Sequence, residues 1–302
     1  MKKFIIQKFL SAQNILADEV AFRVRRDRVI HDLNKRNHDS TESIVDNNQN
    51  GLTVSLTTFG RRIKDVYLAI ESIGVQTLKP GRVILWLTDG EFQTIPNSLK
   101  KLEKRGLLIG HYKDIKAYKK LIPSLKNFPN DIIITIDDDV VYNRDLVEVL
   151  YNSYLEDPKK IYAGAARWIE LNGDTPAPYN SWKKNFEETY RSSLRTFPVG
   201  FGGTLYFPQC FHKDILNEEK FLELAPLADD IWYKCMSIMN GVRSKNINNK
   251  FSIGSLTIPV MKKQLDSLSM LNVIKGKNDL QLKKVLSHYP GVIKQLKDES
   301  NN

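Results

Sequence analysis

Five aspartates carry the strongest chemical signal in this 302-residue chain. Asp137, Asp138 and Asp139 follow directly on the apolar run IIITI, and Asp229 and Asp230 open the apolar stretch DDIWYKCM. Three adjacent carboxylates repel one another unless a cation offsets them, and hard oxygen donors suit Mg2+ or Mn2+. Side chains alternate on an extended segment, so Asp137 and Asp139 are expected to point the same way and grip one metal, which in turn binds a diphosphate. The bland alternative is an acidic turn capping a helix near Asn143. Three acids exceed what capping requires. Asp229 and Asp230 read either as caps of a helix N-terminus or as a general base facing a crevice.

Cations stand near these acids. Lys119 and Lys120, in AYKKLIPSL, precede the acidic strand, and either could neutralise a phosphate or lie on a solvated helix face. Arg61 and Arg62 follow the first strand, where a helix N-terminus also favours phosphate. In TFPVGFGGTLYFPQCF, Gly200, Gly202 and Gly203 would let backbone approach a ligand closely, or else form a tight turn. Trp168, Trp182 and Trp232 could line an acceptor site or pack in the core. Cys210, Cys235, His111, His212 and His288 show no metal-ligand spacing, so a Cys–His hydrolase is disfavoured. Neither GxGxxG nor GxxxxGK[ST] occurs.

The elements that must position these residues follow from periodicity. LTVSLTTF (52–59) and RVILWLTD (82–89) read as strands, LLIGHY begins a third, and DIIITIDDDVVY (131–142) is the most buried in pattern. Helical patterns fall at 62–76, 95–106 and 145–156, with a helical turn at 118–125 and a strand at 161–168. Strands separated by helices imply βαβ units and a mainly parallel sheet, whose ligands bind beyond the carboxyl ends of the strands. Thr57-Thr58, Thr88-Asp89 and the three aspartates would converge there. Residues 3–36 suggest one or two amphipathic helices, and the polar 37–51 a linker.

Composition bounds the rest. Two cysteines are too few for a disulfide framework, and no apolar run approaches a bilayer span. The opening MKKFIIQKFL makes a poor signal peptide, so a cytoplasmic chain is expected. The net charge of +10 sits at the ends: +5 in residues 1–38 and +7 from 243 to 302. No zinc-finger, homeodomain or RNA-recognition pattern accompanies it, which disfavours nucleic acid and favours an anionic membrane face or partner.

In order, VSLTTFGRR, ILWLTD, KKLIP, IITIDDDVVY, GFGGTLY and ADDIW resemble bacterial glycosyltransferases of the GT-A fold, close to the family-2-like enzymes of surface polysaccharide synthesis. The resemblance covers about 180 residues. It implies an α/β, Rossmann-like, mainly parallel sheet with helices on both faces. The catalytic domain would occupy 51–240, with a basic helical extension and linker at 1–50 and a basic extension at 241–302. It implies a nucleotide-diphosphate sugar donor, most often a uridine one, with Mn2+ or Mg2+, and a glycan or lipid-linked acceptor. Thr57, Thr58 and Arg61 would border the nucleotide, Asp89 the base, Lys120 the diphosphate, and Asp137 and Asp138 the donor. Asp137 and Asp139 would hold the metal, while Gly202, Gly203, Trp168 and Trp232 would border the donor sugar and acceptor. Asp230 corresponds best to the catalytic base of inverting relatives, with Asp229 the alternative. A third metal ligand is not assignable, His288 and Asn278-Asp279 being weak candidates. The rival readings are a metal-dependent nucleotidyltransferase and a non-catalytic scaffold of a polysaccharide assembly complex.

Overall fold

The computed structural model describes residues 2–48, 51–247, 256–257 and 276–300. Lys250, Lys262, Lys263 and Lys275, part of the C-terminal charge surplus, lie outside the described residues. Two compact units divide the chain after Ser40. The first holds a single helix, α1 (Lys2–Asp39), where the apolar spacing allowed one or two.

The second unit is built on a sheet. Its strands β1 (Leu52–Thr57), β2 (Arg82–Leu87), β3 (Leu107–His111) and β4 (Ile132–Thr135) are parallel. They are joined by α2 (Val66–Gly74), α3 (Asp89–Phe92), α4 (Asn97–Glu103) and α5 (Ile122–Asn127). β5 (Val140–Val141), α6 (Leu146–Glu156) and β6 (Ile161–Ala163) follow, then the short strands β7 (Ala166–Trp168), β8 (Leu171–Asn172), β9 (Thr175–Pro176) and β10 (Thr196–Pro198). β11 (Thr204–Tyr206) inserts antiparallel between β4 and β6. α7 (Glu218–Leu224) and α8 (Asp229–Met239) lead to β12 (Ser244–Asn246), parallel to β6. β13 (Leu256–Thr257) pairs with β5, and α9 (Lys277–His288) and α10 (Pro290–Ser300) close the described chain. The seven-stranded order is β12-β6-β11-β4-β1-β2-β3.

Alternation along the strands explains the layering. Ile133, Ile161 and Tyr206 enter one apolar cluster with residues of α5, α7, α8, α9 and α10. Their chain neighbours Ile134, Tyr162 and Leu205 enter a second, with residues of α2, α4 and α6. Successive side chains point to opposite faces, so each face of the sheet is covered by its own helices. The expected α/β fold, a mainly parallel sheet with helices on both faces, is the observed one.

Three local expectations change. Residues 37–39 are helical and the next stretch is not a free linker: Ile44 is fully buried, its N–H donates to the Arg105 carbonyl at 2.9 Å, and its Cγ2 fills the space where a Cβ on Gly74 would sit. The strand expected at 161–168 breaks into β6 and β7 because Gly164 meets Gly202, whose carbonyl oxygen would lie 2.2 Å from any Cβ there. The long acidic strand ends at Thr135, and the three aspartates occupy a turn before β5.

Candidate functional site

The site lies at the carboxyl ends of β1 and β4, whose register sets Ser55 opposite Thr135. A cavity of about 370 Å³ opens there, bordered by Thr57, Phe59, Arg62, Lys120, Asp137 and Asp229 among others. Thr57 turns its hydroxyl back to the sheet, donating to the Trp86 carbonyl at 2.8 Å.

The turn after β4 sorts the aspartates. Asp138 is buried, accepting from Thr58 Oγ1 at 2.6 Å and from Arg62 Nη1 at 2.7 Å. Burial pushes its carboxyl up to about 6, against the pull of Arg62. The same guanidinium reaches Asp139 at 3.1 Å through Nη2. Asp139 is partly open, and its proton affinity is raised by burial and then by the charge of Asp137. Asp137 is also partly open and receives its backbone position from Tyr142, whose hydroxyl accepts the Asp137 N–H at 2.9 Å. The strand alternation expected of these residues is not what the turn gives: Arg62 joins Asp138 and Asp139, and Asp137 meets Lys120. The capping alternative fails, because the carboxylates face Arg62 and Lys120.

Lys120 ends the 3-10 turn Lys116–Lys120, which packs against β1 and β2. Its buried ammonium lies 3.2 Å from Asp137 Oδ1, 2.9 Å from Asp229 Oδ2 and 3.7 Å from Asp230 Oδ1. Burial alone would lower its proton affinity, but the three carboxylates outweigh it and hold the lysine well above its usual range. Asp229 and Asp230 form the first turn of α8, yet neither makes a capping hydrogen bond at Ala228. Asp230 instead accepts from the Gly200 N–H at 3.0 Å. Its carboxyl is pushed up to about 7 by burial first, with Lys120 opposing and Asp229 reinforcing the shift. Gly200 leaves room for both groups: a Cβ would stand 2.6 Å from Lys120 Nζ and 3.0 Å from Asp230 Oδ1. A fixed cation thus joins two acidic motifs 92 residues apart in sequence.

Other expected residues sit elsewhere. Arg61 is exposed, and Arg62 enters the site, because the 3-10 turn Gly60–Lys64 turns only the second arginine inward. Asp89 is exposed and 2.5 Å from His111 Nε2, and it does not border this cavity. Gly202 and Gly203 are buried against chain: a Cβ at Gly202 would meet Ala165 N at 2.4 Å, and at Gly203, with φ +79°, the Leu146 side chain. Their lack of side chains serves packing, whereas Gly200 touches the site. Trp232 is fully buried, its Nε1 donating to the Ile215 carbonyl at 3.3 Å, and Trp182 is likewise buried, so neither lines an open acceptor site. Trp168 in β7 is half-buried under Arg195, whose Cζ stands 4.8 Å from its ring. Asp279 accepts the Tyr179 N–H at 2.7 Å, and neither it nor His288 borders the cavity. Sequence reasoning missed Asp114, which also borders the cavity. Burial raises its proton affinity, but Lys116 and Lys119 outweigh this and hold it well below the usual carboxylate range.

Asp137 and Asp139 supply hard oxygen donors whose mutual repulsion a divalent cation would relieve, and in that respect they fit one. Among the described residues, no group of three or more His, Cys, Asp or Glu is arranged to hold a metal ion. Any such cation would take its remaining ligands from a bound phosphate or water.

No family model and no curated protein matches the chain. Solved structures do. S. aureus TarS 1–349 in complex with UDP is 15% identical, with a TM-score of 0.44, over 66% of this chain and 58% of that one. The mannosyltransferase PcManGT from Pyrobaculum calidifontis, in complex with GDP-Man and Mn2+, is 14% identical, with a TM-score of 0.43, over 76% and 65%. The inositol-1-phosphate CTP transferase from T. maritima is 12% identical, with a TM-score of 0.38, over 78% and 95%. The chain therefore spans less than two thirds of the first of these.

Proposed function

We propose that this chain is a GT-A-type glycosyltransferase that moves a sugar from a nucleotide-diphosphate donor, UDP-linked, to a hydroxyl of a glycan or lipid-linked acceptor in surface polysaccharide synthesis. One observation carries the reading. Lys120, buried at the carboxyl edge of the sheet, stands within 4 Å of Asp137 from the three-aspartate turn and of both α8 acids.

The donor diphosphate lies against Lys120, whose held proton offsets the charge that builds on the leaving group. Asp137 and Asp139 would hold Mn2+ or Mg2+, which when bound would supply further charge neutralisation. Asp230, kept in place by the Gly200 N–H, takes the proton from the acceptor hydroxyl as that oxygen bonds to the anomeric carbon. The bond from that carbon to the diphosphate breaks in the same displacement, and the anomeric configuration inverts. Arg62 does not contact substrate in this scheme; it fixes Asp138 and Asp139. Thr57 and Phe59 border the nucleotide end of the cavity.

A donor-hydrolysis assay over a panel of nucleotide sugars with Mn2+ tests the reading. Turnover of one uridine-linked donor is expected, and no turnover with any donor would favour the scaffold. Asp139→Ala should remove the metal-dependent part of donor binding in calorimetry; an unchanged difference between Mn2+ and chelator would sink the metal role.

A further inference from the structure

A second cavity, about 830 Å³, opens between α7 and α9 and is bordered in part by Leu227, Leu280, Lys277, Lys283, Lys284 and His288. Leu227 borders the first cavity as well, two residues before Asp229. α9 is tied to this point, since the Leu227 N–H donates to Gln281 Oε1 at 2.8 Å. The groove therefore meets, at Leu227, the cavity that Asp229 borders. It is also basic and partly apolar. Lys283 and Lys284 are exposed, Leu280 is 64% exposed, and Glu223, its one acid, is 3.3 Å from Lys220. No carboxylate among the described residues pairs with Lys277, Lys283 or Lys284, although the rest of the unit is laced with ion pairs.

Unpaired lysines along a groove are electrostatically complementary to an anion, and a groove of this size holds several sugar or polyol units. We propose that this groove binds the acceptor and that the acceptor is a phosphate-bearing chain. Its phosphates lie along Lys277, Lys283 and Lys284, its carbon skeleton lies over Leu280 and Leu227, and its hydroxyl end reaches Asp230. The proposal rests on the transferase reading and adds a substrate class to it.

Fluorescein-labelled polyphosphate serves as the probe, with labelled neutral dextran as control, and binding to the full chain is followed by anisotropy. Wild type should bind polyphosphate in a salt-sensitive way and ignore dextran. Lys283→Glu with Lys284→Glu should weaken polyphosphate binding by about tenfold or more, whereas Lys283→Arg with Lys284→Arg should retain it. Unchanged thermal melting shows that the charge-reversed chain is folded. Equal polyphosphate affinity in wild type and the charge-reversed variant would overturn the proposal. So would a defect seen only on phosphatidylglycerol vesicles, which would make the patch a membrane contact. UDP calorimetry on the same proteins separates the two readings. A wild type that binds polyphosphate in the groove but no UDP retains a phosphate site and loses the transferase reading; the reverse removes only the groove.

Discussion

At the scale of single residues, the cavity works by opposing burial with charge. Asp230 is partly buried, which raises its proton affinity to about 7, a value suited to accepting a proton near neutrality. The base acts when ionised, so kcat/KM should rise with pH through an apparent pKa of about 7 and level off above it. Asp230→Asn should cut transfer by about 10²–10⁴-fold, the usual worth of a positioned base, while donor affinity measured by calorimetry stays close to wild type. Near-normal turnover in that variant would move the role to Asp229. The aspartates and Lys120 were legible in sequence because each lies in a short motif beside an apolar run. Arg62 was not separable from Arg61, since a one-residue choice depends on how the 3-10 turn rotates. Of the two readings of Trp232, acceptor-site lining or core packing, the core one holds, because α8 is buried nearly all round.

Among the elements, residues 41–48, α2 and the turn after α4 are tied together through one arginine. Arg105 and Glu71 form a buried bidentate pair at 2.5 and 3.0 Å, and Arg105 Nε donates to the Glu42 carbonyl at 2.8 Å. Removing one partner leaves a buried charge uncompensated. Arg105→Met should therefore cost about 3–5 kcal/mol in denaturant unfolding, whereas Glu71→Leu with Arg105→Met should recover much of it. A double variant no better than the single one would show that the pair holds more than its own charges. Strand existence was readable from alternation. The break at Gly164 and the docking of Ile44 on Gly74 were not, because both depend on segments far apart in sequence meeting at backbone distance.

Over the whole molecule, part of the charge surplus lies outside the sheet unit. Met1–Ser40 and Thr41–Asn302 are distinct units, and nine of the basic residues lie in the first 38 positions. On α1, Val20 and Val24 are exposed on one side, and Phe22, also exposed, lies about 200° around the helix from Val20, so these residues form no single apolar face. None of the described helices is long and apolar enough to cross a membrane. The basic residues of α1 would attract an anionic bilayer. The full chain should co-sediment with anionic vesicles, less so at high salt, and the 41–302 chain should do so more weakly. Equal sedimentation with neutral vesicles would remove that role. Truncation at 40 is the informative cut, because Ile44 belongs to the core of the sheet unit.

The neighbours of Lys120 have one more effect. Under the proposed function, an arriving diphosphate would meet a cation already held by Asp137, Asp229 and Asp230, so its capture would be an exchange of partners. The cavity thus contains its own competitive inhibitor, made of carboxylates that cannot diffuse away. Weakening that competitor by Asp229→Asn should tighten nucleotide binding while slowing turnover, so that affinity and rate move in opposite directions. Calorimetry with UDP set beside steady-state rates would show it, and a variant that lost both would mean that Asp229 holds the lysine in place for the ligand.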